Sequence, residues 1–214
     1  MNLPDYLRED QKEYIGSWGK DLGQKLICVI MGQNCEKFIG MCLENVKDAD
    51  DVIYCDGGSD SYILTTKNKE NSGYLGYMDK TISILISRGF QWNQYENGMI
   101  NNLGKPIGNK NIIQNNYDQE DLGMNGKQRN FYLKYLKENY PNDWALAIDA
   151  DEVVEDITKI KEFIQTAIPA VYAVKMRHLQ QDLSHEDNTY PIHFVPQRLF
   201  KISYSQVRFY ERRY

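Results

Sequence analysis

Trp144-Ala145-Leu146-Ala147-Ile148-Asp149-Ala150-Asp151-Glu152 is the stretch on which the fold of this chain turns. Its five leading apolar residues have the make-up of a strand buried on both faces, as in a sheet covered by helices. The run then breaks into acids, which mark the strand's carboxyl end. In open α/β sheets that end is where ligands bind. Downstream, Ile157, Ile160, Ile164 and Ala167 recur at helical spacing, and Pro169 terminates the helix they predict. Upstream, Phe131, Leu133, Tyr135, Leu136 and Tyr140 predict a helix that starts at Gly126 and is ended by Pro141.

The same alternation extends toward both termini. A polar arm over residues 1–24 precedes Leu26-Ile27-Cys28-Val29-Ile30-Met31, a second run of doubly buried type. Helical spacing from Cys35 to Val46 and a short strand at Val52-Ile53-Tyr54-Cys55 complete a βαβ unit. Residues 78–88 read as a helix leading to a strand at Phe90-Gln91-Trp92. Residues 93–125, rich in Asn, Gly and Gln, show no period and read as a long loop. Val171 to Met176 and Arg198 to Ile202 read as strands on either side of a polar loop from Gln180 to Tyr190. The expected class is therefore α/β, in one domain spanning 1–214, with 61–125 as an insertion.

Composition narrows the function. At 214 residues and 42% hydrophobic content, with 16 tyrosines, the chain can bury a real core. A net charge of -5 argues against a nucleic-acid binder, which needs a basic face for phosphates. No apolar run approaches the roughly 20 residues of a membrane span, and MNLPDYLRED lacks a signal peptide's basic start and apolar core. Cys28, Cys35, Cys42 and Cys55 show no C-x-x-C spacing, which speaks against zinc. A reduced, cytoplasmic setting is expected.

Three segments carry chemistry. Asp149 and Asp151, two apart in an extended segment, would aim both carboxylates at one point. Together with Glu152, Glu155 and Asp156 they would repel one another unless a cation offsets them, and such oxygen ligands suit magnesium or manganese. For Glu155 and Asp156 the reading is plainer: acids at a helix N-terminus, with Asp156 as its cap. D-x-D pairs are common by chance, so the pattern alone identifies no site. Asp56 also ends a strand, and Gly57-Gly58-Ser59 after it permit either close approach to a ligand or a simple turn. Finally, Lys127 and Arg129 sit where a helix is expected to open, and the macrodipole disfavours cations there. A bound diphosphate would relieve that conflict. Taken alone, the segment reads as two solvated surface charges.

Taken in order, these pieces resemble the inverting GT-A glycosyltransferases of family 2. The resemblance lies in Ile27-Cys28-Val29-Ile30 leading to Asn34-Cys35-Glu36, then Cys55-Asp56-Gly57-Gly58-Ser59. It continues through Gln128-Arg129-Asn130 and Ala147-Ile148-Asp149-Ala150-Asp151-Glu152 to Arg198-Leu199-Phe200, covering about 25–60 and 126–202. It implies a GT-A (Rossmann-like) nucleotide-binding fold, a mostly parallel mixed sheet with helices on both faces. It also implies a nucleotide-sugar donor, with UDP expected, a manganese or magnesium ion, and a glycan, lipid or protein acceptor. By resemblance, Asp56 meets the donor's base, Asn34 lies at the donor-site edge, and Arg129 lies close to the nucleotide. Asp149 stands near ribose and metal, and Asp151 ligates the metal.

An inverting transfer also needs a general base for the acceptor. The polar loop offers Asp182, Glu186 and Asp187, and the family's habit of placing a Glu-Asp pair at this stage favours Asp187 beside Glu186. His178, His185 and His193 share the region and offer a candidate third metal ligand, although no two of them have helical metal-ligand spacing. Two departures stand out. The Asp-Gly-Gly-Ser turn is followed by Asp60-Ser61 rather than Thr-Asp, and the chain reaches Tyr214 without the His that many members carry after the Arg-Leu-Phe strand. A truncated domain, or a site completed differently, is the expectation. The rival readings are a nucleotidyltransferase that makes the nucleotide-sugar, and a degenerate domain that only binds it. Against the first, Met31-Gly32-Gln33-Asn34 holds one glycine and no cation where a Gly-rich basic loop belongs.

Overall fold

The computed structural model of the chain describes residues 24–57, 79–92, 108–114, 124–174 and 197–204. Among these, seven strands form one sheet in the order β3-β4-β2-β1-β5-β7-β6. The elements run β1 (Leu26–Gly32), α1 (Ile39–Asn45), β2 (Asp51–Asp56), α2 (Thr81–Ser87), β3 (Gln91–Trp92) and β4 (Lys110–Gln114). They continue as α3 (Met124–Asn139), β5 (Trp144–Asp149), α4 (Ile157–Ile164), β6 (Val171–Ala173) and β7 (Gln197–Lys201). β3, β4, β2, β1 and β5 are parallel, while β7 runs antiparallel to both β5 and β6. This is an α/β fold with a mixed, mostly parallel sheet and helices on both faces.

The central strands are the runs that periodicity picked out. β1, β2 and β5 are buried almost throughout because each has a neighbour on both edges and a helix layer on both faces. Pleating divides their side chains between two cores. Cys28, Ile30, Val52, Tyr54, Leu146 and Ile148 pack toward α1, α2 and α4. Ile27, Val29, Ile53, Ala145 and Ala147 pack toward α3, through Phe131, Tyr132, Tyr135 and Leu136. Chain order moves from β1 to β2 on one side and returns through α3 to β5 on the other. That reversal beside β1 opens a crevice beyond the strands' carboxyl ends.

Three sequence expectations are corrected. Within the stretch 93–125 read as loop, Lys110–Gln114 forms β4, inserted between β2 and β3. Only Ile112 and Ile113 are apolar there, too short a run to register. Asn111, fully buried, donates from Nδ2 to the Gly108 carbonyl at 3.3 Å and so satisfies a polar group inside the sheet. Within 61–125, Thr81–Ser87 forms α2, while Gln91–Trp92 and Lys110–Gln114 form β3 and β4 of the sheet. The third helix starts at Met124, ahead of Gly126, so Arg129 lies in its second turn. Finally, Asp149 and Asp151 are not on one extended segment. Glu152 N donates to the Asp149 carbonyl at 2.9 Å, closing a turn over 149–152 that breaks the alternation.

The first helix also begins later than expected, at Ile39, and β6 spans Val171–Ala173, the expected continuation over 175–176 lying outside the described residues. The Asp156 cap is present: its side chain accepts from Lys159 N at 3.1 Å. None of the four cysteines is in a disulfide. Among the described residues, no helix is long and apolar enough to cross a membrane.

Candidate functional site

The carboxyl ends of β1, β2 and β5 form a crest. Gly32, at the end of β1, is required by packing there. A Cβ on it would stand 2.6 Å from Cys35 Sγ and 2.8 Å from both Ala150 Cβ and Tyr54 Oη. Asn34 follows with φ 52°, in the left-handed region that Asn tolerates better than most residues. The turn is then anchored from α2's entry: Cys35 N donates to Thr81 Oγ1 at 2.7 Å, and Lys80 N donates to Glu36 Oε2 at 2.9 Å. Burial raises the Cys35 thiol above its ordinary value, opposed by the Tyr54 hydroxyl and the Gln33 backbone. The thiol therefore stays protonated, and nothing marks it as a nucleophile.

Asp149 ends β5 at the centre of an ion network. Arg129 Nη2, from α3, donates to its Oδ1 at 2.9 Å and its Oδ2 at 3.2 Å. Arg198 Nη2, from β7, donates to Oδ2 at 2.9 Å. The same Arg198 nitrogen reaches Glu152 Oε1, and Glu152 Oε2 accepts from Asp149 N at 2.8 Å. The network is enclosed, with 8% of the Arg198 side chain and 15% of those of Arg129 and Glu152 exposed. Two guanidiniums face two carboxylates, so charge is balanced and each ion has partners, as enclosed charges require. Burial pushes the Glu152 carboxyl above its usual range, opposed by the Asp149 backbone N–H and by Arg198. Tyr132 lies against Arg129 from the same helix, and burial raises its phenol well above the ordinary value.

The Arg129 cation is therefore neither a solvated surface charge nor a helix-opening cation. Its counter-ion is the protein's own Asp149. Asp151, one step past the crest, is exposed. Asp56 is fully buried at the end of β2, and Gly57 N donates to the Gly32 carbonyl at 2.9 Å. Register pairs Gly32 with Asp56 and Met31 with Asp149, so the two acids flank β1 about 10 Å apart, two strand spacings. The pleat turns them to opposite faces, Asp56 toward α1 and Asp149 toward α3. Asp182, Glu186, Asp187, the three histidines and Gly58-Ser59 lie outside the described residues.

Among the described residues, no three His, Cys, Asp or Glu side chains gather as a metal would need. Asp149 already spends both oxygens on guanidiniums, which leaves Asp151 as the exposed carboxylate of the D-x-D. A cavity of about 300 Å³ lies at the opposite end of the sheet, between α1 and the start of β4. Its lysines and arginine are engaged by the protein: Lys47 with Glu44, Arg88 with the Gly40 carbonyl, and Lys110 with the Arg88 carbonyl.

Sequence reasoning did not select Glu152 or Arg198 as site residues. The signal for Arg198 is a charge heading the apolar run Leu199-Phe200, with acids crowded at 149–156 upstream. A buried arginine needs a carboxylate, and the D-x-D-E segment is the nearest supply in the sheet.

No protein-family model and no curated protein matches the chain. Among solved structures, the crystal structure of S. aureus TarS aligns with 84% of this chain and 29% of its own, at 18% identity and a TM-score of 0.47. The chain thus spans under a third of that protein's crystallised length. At that identity and score the likeness says nothing about activity.

Proposed function

We propose that the chain is a glycosyltransferase domain that takes a sugar from a nucleotide-diphosphate sugar, with UDP as the nucleotide, and transfers it with inversion. The observation that carries this reading is Arg129 locked on Asp149, with Asp151 exposed beside it, at the strand-order reversal of the sheet. A nucleotide diphosphate calls for a cation held in place, a carboxylate for a divalent metal, and a crest the ligand can approach closely. Arg129, Asp151 and the Gly32–Asn34 turn answer these in turn.

Asp56 is assigned to the donor's base and Asn34 to the rim of the donor site. Because Asp56 has no exposed surface, its carboxylate must be uncovered before it accepts from a uracil N–H. Arg129 lends positive charge to the diphosphate and is kept from swinging away by Asp149. An acceptor hydroxyl attacks the anomeric carbon on the face opposite the leaving diphosphate, and Asp187, with Glu186 next to it, takes the hydroxyl's proton. The acceptor is a glycan, a lipid or a protein.

The residues fit manganese or magnesium. Such ions take one or two carboxylates together with substrate phosphates, and Asp151 is available as it stands. Asp149 joins it only by releasing a guanidinium. When bound, the ion would neutralise charge building on the departing diphosphate.

Incubation with a panel of nucleotide-sugars and manganese tests the reading. Release of UDP from one of them is expected, and Asp151→Asn should slow it by on the order of 100-fold or more. Consumption of UTP and a sugar phosphate with release of pyrophosphate would instead make the chain a nucleotidyltransferase. Tight binding of a donor that is never turned over would make it a binding domain.

A further inference from the structure

Glu152 and Arg198 have no part in the donor contacts assigned above, yet they are the most enclosed acid and the most enclosed cation of the crest network. Their bonds form a closed circuit. Glu152 holds the Asp149 main chain through Oε2 and grips Arg198 through Oε1. Arg198 in turn holds the Asp149 side chain through Oδ2 at 2.9 Å. Both the backbone and the carboxylate of Asp149 are thereby fixed, and its Oδ1 is left to Arg129 at 2.9 Å.

Stability alone explains this arrangement poorly. Burying an ion pair gains little over packing apolar side chains of the same volume, because desolvation offsets the attraction. Here it also leaves the Arg198 Nε buried with no hydrogen-bond partner among the described residues, an expensive omission. The circuit instead joins β7 to the end of β5 and the turn that follows it, around one carboxylate. Arg198 is carried on β7, which is hydrogen-bonded along β5 with Leu146 opposite Leu199, so its origin is rigid.

We infer that Glu152 and Arg198 are positioning residues: they fix Asp149 so that it presents Arg129 and leaves Asp151 outermost on the turn. Neither touches the donor. The inference rests on the donor reading of the crest, and the two fail by different results.

Glu152→Gln is the deciding variant, since it keeps the side chain's shape and removes one acceptor and the charge. The remaining oxygen can serve the Asp149 amide or Arg198 but not both. Amide hydrogen exchange at Asp149, read without any ligand, should speed up at least tenfold, while Val29 and Ile53 in the central strands keep wild-type rates. Calorimetry with UDP and manganese should show affinity reduced by about 10- to 100-fold, the usual effect of removing a supporting partner of a ligand-holding residue. Arg198→Lys, which keeps charge but loses the guanidinium geometry, should show both effects; if it does not fold, Glu152→Gln decides alone. Wild-type exchange at Asp149 in Glu152→Gln overturns the inference, as does faster exchange with unaltered UDP affinity. Wild-type protein that binds no UDP overturns the donor reading, whatever the exchange result.

Discussion

Charged networks occupy both ends of the sheet, and they are built differently. At the amino end, Lys25 pairs with Asp51 at 3.1 Å and Lys161 with Asp50 at 2.7 Å. Carboxylates there also hold the backbone: Asp50 accepts from Leu26 N at 2.8 Å, and Asp143 from Lys25 N at 3.0 Å. These bonds fasten the first residues of β1 to the turns before β2 and β5. The lysines remain partly in water, with 53% of the Lys25 side chain and 34% of that of Lys161 exposed. At the carboxyl end the cations are arginines, more deeply enclosed, and they converge on one carboxylate from two different elements. Lysine is a point charge on a flexible stem; arginine fixes direction as well as charge. One end secures the chain. The other orients a group.

The largest expected effect separates the two ends. Arg198→Ala would leave Glu152 enclosed with its cation gone and Asp149 with one guanidinium fewer. Removing one partner of such a pair typically costs about 3–5 kcal/mol, which denaturant unfolding would register. A loss under about 1 kcal/mol would mean that the crest is no tighter than the amino end.

Gly32→Ala comes next. The added methyl meets Cys35 Sγ, Ala150 Cβ and Tyr54 Oη at 2.6–2.8 Å, so the crest must shift. Overpacking of this kind costs about 1–3 kcal/mol. Thermal unfolding at the wild-type temperature would show that the crest gives way easily and is not a fixed platform.

The smallest effect belongs to the amino end. Lys25→Ala removes a half-exposed cation, and such pairs contribute about 0.2–1 kcal/mol. Its loss should also be reduced by added salt, which screens exposed pairs more than enclosed ones. A Lys25→Ala cost equal to that of Arg198→Ala would erase the distinction between the two ends.

The sequence made the central strands legible because double burial writes itself as unbroken apolar runs, as at Leu26–Met31 and Ala145–Ile148. It hid β4, where a buried, hydrogen-bonded Asn111 interrupts the pattern and only Ile112 and Ile113 remain. For the site, the acids at the end of β5 announced themselves by following a buried strand. Their geometry did not, because the alternation of Asp149 and Asp151 assumes an extended backbone that the Glu152 N–Asp149 O bond breaks. The link from Arg198 to Glu152 spans 46 residues and depends on β7 lying antiparallel to β5, a pairing no local spacing reveals. The setting of Arg129 is likewise hidden, since a helix that runs from Met124 takes it out of the first turn and onto Asp149.

Calorimetric titration of UDP, with manganese and then with a chelator in its place, tests the central claim that the crest is a nucleotide-diphosphate site. Asp151 sets an exposed negative charge beside the ground assigned to a diphosphate, so binding should tighten by at least tenfold with manganese. Asp151→Asn should remove most of that gain while leaving Arg129 on Asp149. Equal UDP affinity in manganese and in chelator would contradict the metal, and no measurable UDP binding in either would contradict the site itself.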